Sequence, residues 1–364
     1  MSKILFLIPR LQNIGGVANY YSVLKIKMDA NQKFIFLPRG NKKNSSTLVR
    51  LLLDYIRFIK AIKRNNVNLI VINTSLGVGG FFRDFLYFWI TSKKIKKVIF
   101  FRGWNLDFEK KIENSSFYNK IFLNTFLKAN HIIVLSSAFK KKLISWGYKG
   151  KISLETTIVD ESLIENQSIE SLHSMRKKLG KKNILYLGNV KKEKGVCEVV
   201  DAVRTLTTLN KKNELTAIIA GSGILLETLK SKAEKEKLPI FFPGYVKEDS
   251  KIETYANSHL YVFPSVHGEG MPNSVLEAMA FGLPVITTRV GGIPDFFEEG
   301  KMGLFLENRE PHHIAEKIQY LLDRPELRRE MSEYNYNYAK EHFYASKVAK
   351  RLEKILEMVI KKDD

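Results

Sequence analysis

The sequence predicts an α/β chain built as two doubly wound domains, each on a parallel sheet. Three observations carry that reading: strand-length runs of Ile, Val, Leu and Phe without polar alternation, helix-length segments between them, and a polar pause after which the pattern restarts. Continuous apolar runs belong to parallel strands covered on both faces. Regular alternation with helices makes the sheet doubly wound. A length of 364 residues suits two cores better than one.

In chain order, KILFLIP (3–9) reads as a buried strand, followed by a loop ending in Gly15 and Gly16 and a helix from Val17. FIFLP (34–38), NLIVIN (68–73), KVIFF (97–101) and HIIVLS (131–136) are further strands, and 48–64 is a helix with apolar residues recurring at three and four. From 160 to 182 the chain is polar and predicts no strand. The alternation restarts at Asn183 with NILYLG, a helix over 196–209, LTAIIAG, a helix over 224–237, IFFPG, LYVFPS and PVITT. An amphipathic helix over 345–360 closes it. The expected organisation is a first domain at 1–165, a linker at 166–182, a second domain at 183–343, and a C-terminal helix at 344–364 packing back toward the first. Ligands of open parallel sheets sit beyond the carboxyl ends of strands, so two such domains are expected to face each other across a cleft.

Fifty-nine Lys and Arg against 38 Asp and Glu leave a net charge of +21. The excess is uneven: residues 1–170 hold 28 basic and 11 acidic side chains (+17), and residues 171–364 hold 31 and 27 (+4). An anionic partner is therefore expected at the first half. The lone Cys197 rules out an internal disulfide and a cysteine-rich metal site, and fits a reducing compartment. MSKILFLIPR is too short an apolar run for a secretory leader. The most apolar window, GGFFRDFLYFWI (79–90), is broken by Arg83 and Asp84 and does not predict a membrane span. The expectation is a cytoplasmic protein able to touch a membrane surface.

The most distinctive stretch is PSVHGEGMPNSVLEAMAFGLPV (264–285). A strand runs into a loop holding Gly268, Gly270 and Pro272, and a helix starts near Asn273 or Ser274. Glycines let backbone approach a ligand, and a helix N-terminus offers N–H groups and positive dipole to an anion. Glu269 and Glu277 flank that turn. Carboxylates beside a phosphate site serve when they accept hydrogen bonds from sugar or ribose hydroxyls. A glutamate in a first helical turn can also merely offset the dipole, but turn chemistry alone does not require both. The implied ligand is an anion with hydroxylated rings on both sides.

EGMPNSVLE, with seven residues between Glu269 and Glu277, resembles the E-x7-E signature of the group 1 (family 4) retaining glycosyltransferases. VFPS before it, EAMAFGLPVITTRVGGIPD after it, the Gly-Gly loop, LGNVKKEKG and AGSG (220–223) extend the resemblance over nearly the whole chain. The resemblance implies a GT-B fold with the donor nucleotide sugar on the second domain and the acceptor on the first. It assigns Glu277 to the ribose hydroxyls, Glu269 to hydroxyls of the donor sugar, and the loop Gly270, Met271, Pro272, Asn273 and Ser274 to sugar and phosphate. Gly15 and Gly16 match the glycine loop of the first domain. Of the two cations that normally neutralise the diphosphate, Lys194 is present, whereas Asn189 stands at the arginine position, with Lys191 and Lys192 nearby. Arg102 stands where many relatives carry histidine before Gly103. An arginine there cannot act as a base but can clamp a phosphate or carboxylate.

The implied reaction is retaining transfer of a sugar, of hexosyl type, from a nucleotide diphosphate sugar, with UDP preferred, to a hydroxyl of a glycan or lipid-linked acceptor in surface polysaccharide synthesis. Lys194, Glu269 and Arg102 are the expected catalytic groups. No metal or other cofactor is expected, since no convincing D-x-D-like pair is present. The basic first domain, with runs at 41–44, 93–97 and 140–142 flanking the aromatic segment, is expected to dock on anionic lipid at the inner face of the cytoplasmic membrane. Two other classes share this composition: a catalytically idle GT-B protein binding glycans or partners, and a basic nucleic-acid-binding protein, for which the chain carries no motif.

Overall fold

The computed structural model describes residues 2–12, 15–28, 33–40, 47–209, 215–266 and 269–361. The chain divides into two units, the first formed by 1–157, 268–271 and 345–364, the second by 158–267 and 272–344.

Among the described residues, the first unit carries one six-stranded sheet in the order β2-β1-β3-β4-β5-β6. Its strands are β1 (Lys3–Pro9), β2 (Phe34–Arg39), β3 (Val67–Leu76), β4 (Lys96–Trp104), β5 (His131–Val134) and β6 (Lys151–Leu154), all paired in parallel. The second unit carries another in the order β12-β11-β10-β7-β8-β9. These are β7 (Lys182–Leu187), β8 (Leu215–Ala220), β9 (Ile240–Gly244), β10 (Leu260–Phe263), β11 (Val285–Thr287) and β12 (Gly303–Phe305), again parallel throughout. The apolar runs form the central strands because both faces are covered: Ile4 to Ile8, Leu69 to Ile72 and Leu260 to Phe263 are buried.

Two strands lie outside the apolar-run reading, β6 and β12, and each is the edge of its sheet. KISL is half exposed and GLF has three residues, so neither needs the long apolar run that marks a central strand. The stretch expected as a linker holds the helix Ile169–Lys177, opened by a capping box of Ser168 and Ser171. It buries Leu172 and Arg176 and counts with the second unit, whereas the first segment of the first unit ends at Thr157. Arg176 donates to the carbonyls of Ala256, Phe281 and Gly282 at 3.1, 2.6 and 3.4 Å, capping the C-termini of the helices Glu248–Ala256 and Asn273–Ala280. Burial lowers its pKa to about 9, which keeps it charged at neutral pH.

The helix Ala345–Lys361 counts with the first unit and packs on the helix Gly16–Met28. Val348, Leu352, Ile355, Leu356 and Val359 form its buried stripe. Arg351 holds buried Glu155 with two bonds of 2.8 and 3.1 Å. Lys96 caps the helix end through the carbonyls of Val359 and Ile360 at 3.0 and 2.9 Å.

Candidate functional site

In the second sheet the chain runs from β7 outward through β8 to β9, then returns to β10 on the other side of β7. The crevice beyond the carboxyl ends of β7 and β10 is the switch point where ligands of such sheets bind. LGNVKKEKG follows β7 and PSVHGEGMPNS follows β10, so topology brings together the two motifs of the second half. Gly195 joins them: its φ is +76°, and a Cβ there would lie 2.4 Å from the Pro264 carbonyl oxygen, so no other residue fits. The loop after β8 is bonded to the same frame. Gly188 N–H donates to Ala220 O (3.0 Å), Val190 N–H to Ser222 O (2.9 Å) and Leu225 N–H to Val190 O (3.2 Å).

The helix Asn273–Ala280 begins at this frame. Pro272 is its N-cap residue and has no side chain able to cap it. Val275 N–H donates to Pro272 O at 3.2 Å, and the first turn with its positive dipole end suits a ligand anion. Ser274, expected as a cap or phosphate contact, lies 2.7 Å from the Tyr261 hydroxyl, which also donates to Leu187 O at 2.9 Å. The helix start is thereby tied to the end of β7. Glu277 is buried, with Oε1 receiving Lys251 Nζ at 2.6 Å and Oε2 receiving the Tyr255 hydroxyl at 2.9 Å. Burial first, and then the neighbouring Glu277 charge, raise the Tyr255 pKa well above its ordinary value, so the phenol stays a donor. Each carboxylate oxygen retains a second lone pair, so Glu277 can still accept hydroxyl donors.

Lys194 is half-buried, at the end of the turn that Gly195 closes. Asn189, Lys191 and Lys192 are exposed on the same loop. The Asn189 carbonyl accepts the Tyr186 hydroxyl at 2.8 Å, which fixes the backbone and leaves the amide side chain at the surface.

The remaining expected residues count with the first unit. Gly15 and Gly16 are exposed at the start of the helix Gly16–Met28, beyond the carboxyl end of β1. Glu269 is half-buried, and Gly270 and Met271 are buried. A Cβ on Gly270 would fall 2.7 Å from the Arg102 carbonyl oxygen and 2.9 Å from Leu135, so this loop position accepts only glycine. Arg102 is buried near the end of β4, its guanidinium over the rings of Tyr20 and Phe100. Gly268 and the basic run at 41–44 lie outside the described residues. Among the described residues no cluster of three or more His, Cys, Asp or Glu side chains could hold a metal ion.

Sequence reasoning missed Lys251, Tyr255 and Tyr261. Lys251 and Tyr255 stand one turn apart on the helix Glu248–Ala256, a spacing that marks one helix face and says nothing of which carboxylate that face meets. Tyr261 lies inside an apolar strand run, where its ring predicts core and its hydroxyl goes unnoticed.

Residues 168–338 match the family model described as glycosyl transferases group 1. Over that segment, which lies mostly in the second half, the chain is similar to the group 1 glycosyltransferases. An uncharacterized glycosyltransferase of Methanocaldococcus jannaschii is 29% identical over 261 residues, 70% of this chain and 65% of that protein. The capsular polysaccharide biosynthesis glycosyltransferase CapM of Staphylococcus aureus is 30% identical over 221 residues, 59% of this chain and 52% of its own. The chain thus spans between half and two thirds of the length of these relatives. In fold it is similar to Anabaena HepE, solved in complex with UDP, with a TM-score of 0.76 at 17% identity over 98% of this chain and 100% of that one. Sucrose-phosphate synthase of Thermosynechococcus elongatus superposes with a TM-score of 0.77 at 15% identity, covering 99% of each chain. The chain is a two-domain α/β protein of GT-B fold.

Proposed function

We propose that this chain transfers a sugar from a UDP-sugar to a hydroxyl of a glycan or lipid-linked acceptor, with retention at the anomeric carbon, in the assembly of a surface polysaccharide. The observation that carries the reading is the switch-point frame. A buried carboxylate able to take ribose hydroxyls, an N-terminal helix turn that opens on a proline and a lysine-bearing loop converge beyond β7 and β10. That combination suits a diphosphate between two hydroxylated rings. The UDP complex of Anabaena HepE supports the choice of nucleotide, and the capsular name of CapM supports the acceptor class.

In this reading Glu277 takes the ribose hydroxyls and Glu269 those of the donor sugar. As the bond from the anomeric carbon to the β-phosphate oxygen breaks, negative charge grows on UDP. Lys194 and the first-turn N–H groups of the helix Asn273–Ala280 stabilise it electrostatically. The acceptor oxygen bonds to the anomeric carbon on the face the phosphate leaves, and its proton passes to a phosphate oxygen. No metal ion is required for that charge balance. Calorimetric titration with UDP and GDP, followed by transfer assays with UDP-sugars, tests the reading. UDP is expected to bind and Glu277→Gln to weaken it about tenfold (~1.4 kcal/mol). A wild-type protein that binds neither nucleotide overturns it.

The partner surface proposed for the first unit is an anionic bilayer at the inner face of the cytoplasmic membrane. Leu48, Leu52, Ile56 and Ile59 form an outward stripe on the helix Thr47–Asn65, with Leu48 79% and Leu52 61% exposed. Exposed Lys60, Lys63 and Arg64 follow in its last turns. This helix packs through Tyr55 and Phe58 on Tyr87 of the helix Val78–Ile90, which exposes Phe82, Leu86 and Trp89. A broad apolar face flanked by lysine suits a lipid interface. Within two of the basic runs read from sequence single lysines serve otherwise, Lys97 buried against the carbonyls of Ser92 and Ile95 and Lys142 paired with Glu109 and Glu113, whereas Lys93, Lys94 and Lys141 are exposed. Among the described residues no helix is long and apolar enough to cross a membrane.

A further inference from the structure

Buried charges in the first unit are answered one by one. Asp84 takes Arg39 at 2.6 Å and Arg83 at 2.7 Å, Asp54 takes Arg57, and Glu155 takes Arg351. Lys97 donates to two carbonyls. Arg102 breaks the pattern. It is 7% exposed, and its Nε and Nη1 meet no hydrogen-bond acceptor among the described residues. The guanidinium carbon lies 3.7 Å from the Tyr20 ring centroid and 4.4 Å from that of Phe100. Aromatic faces offset part of the cost of burying the charge, but they are weak acceptors for N–H groups. The hydroxyl of Tyr20 is buried against the guanidinium, and among the described residues its own proton meets no acceptor. Burial pushes that phenol up to about 12, so it too remains a donor.

These unspent donors stand at a functional position of the sheet. Arg102 lies near the carboxyl end of β4, the end where parallel sheets bind ligands. Gly270 of the motif loop crowds against the Arg102 carbonyl. Tyr20 belongs to the helix that starts at Gly16, whose N-terminal dipole favours negative charge. A buried guanidinium with unpartnered N–H groups on Nε and Nη1 suits the oxygens of a carboxylate or phosphate.

We propose that Arg102, with Tyr20, clamps a carboxylate or phosphate carried by the substrate, making this chain selective for an acidic saccharide. The inference rests on the transferase reading and adds the charge class of what is transferred or accepted. The anion has two possible sources, the carboxylate of a uronic acid donor or a phosphate on the acceptor, and the assay separates them. Titrations compare UDP-glucuronate with UDP-glucose on the free protein, and glucose 1-phosphate with glucose on UDP-saturated protein. In one of the two pairs the charged probe is expected to bind at least tenfold more tightly. Arg102→Met should erase that preference while leaving UDP affinity unchanged. Since the buried charge meets no carboxylate among the described residues, the variant should also melt no lower than wild type.

Three results overturn the proposal: equal affinity within both pairs for wild type, a charge preference that survives in Arg102→Met, or an Arg102→Met melting point several degrees lower that Arg102→Lys restores without any charge preference. A protein that binds no UDP but still prefers the charged probe refutes the transferase reading and leaves the clamp standing.

Discussion

Around the switch point of the second unit, polar groups are spent on the unit itself. Loops after β7, β8 and β10 are bonded to one another, Tyr261 ties the helix start to β7, and Glu277 has a partner on each oxygen. Away from the switch point the second unit also buries polar atoms that meet no hydrogen-bond partner among the described residues, such as His259 Nε2, His313 Nε2 and Asn335 Oδ1. The first unit leaves more apolar surface and charge unspent. It holds seventeen of the 23 exposed large hydrophobic side chains among the described residues, most of the chain's positive excess, and a buried arginine with two orphaned donors. One sheet architecture therefore serves two ends. Internal satisfaction makes a rigid frame that can bind a fixed ligand without reorganising. Unspent apolar and cationic groups cost stability and are retained where something outside the unit completes them.

The sharpest way to break that contrast is to disturb the frame. Gly195→Val puts a branched side chain at φ +76° against the Pro264 carbonyl, and should cost about 3 kcal/mol or more by chemical denaturation. Lys251→Met takes the cation from the buried Glu277 carboxylate and leaves it the neutral Tyr255 hydroxyl, and should destabilise by about 3–5 kcal/mol. If both variants unfold like wild type, the second unit is not the rigid partner in the comparison.

Lys194→Ala should lower turnover on the order of a hundredfold while leaving the melting curve unchanged, because a leaving-group cation acts mainly in the transition state. Wild-type turnover would remove it from the mechanism. His259 supplies a pH test of the second unit alone. Burial lowers its pKa to about 4, and its Nδ1 accepts the Asn183 N–H at 3.1 Å. The unfolded histidine takes its proton near the ordinary value of 6.5, so between pH 6.5 and 4 the unfolded state binds more protons. Stability should be fully present above that window and fall through it, by up to about 3 kcal/mol, and His259→Gln should flatten the slope.

The smallest effect on stability belongs to the first unit. Leu52→Glu at an exposed position should change unfolding by less than about 0.5 kcal/mol, yet abolish co-sedimentation with phosphatidylglycerol-containing vesicles. Retained vesicle binding would mean that the exposed helix face serves something other than lipid.

Both motif loops and ten of the strands were legible because each is written in local pattern: a continuous apolar run for a doubly covered strand, glycines at a tight loop, carboxylates at fixed spacing. β6 and β12 were not, since an edge strand is held by backbone pairing on one side and needs little apolar content. The helix Ile169–Lys177 read as linker because one leucine and one buried arginine anchor it, and an arginine looks like a solvated residue until the carbonyls it caps are known.

By itself the sequence determined the alternation of strands and helices, the restart at Asn183, the uneven charge and the spacing of Glu269 and Glu277, all properties of neighbours along the chain. Tertiary structure alone decided that Lys251 and Tyr255 hold Glu277, that Gly270 abuts Arg102, that Arg102 is buried with Nε and Nη1 meeting no acceptor among the described residues, and that the apolar face of the helix Thr47–Asn65 is left outside. Periodicity specifies which face of an element is apolar or polar. Which distant group that face meets depends on strand order and crossover, and no window of residues contains that information.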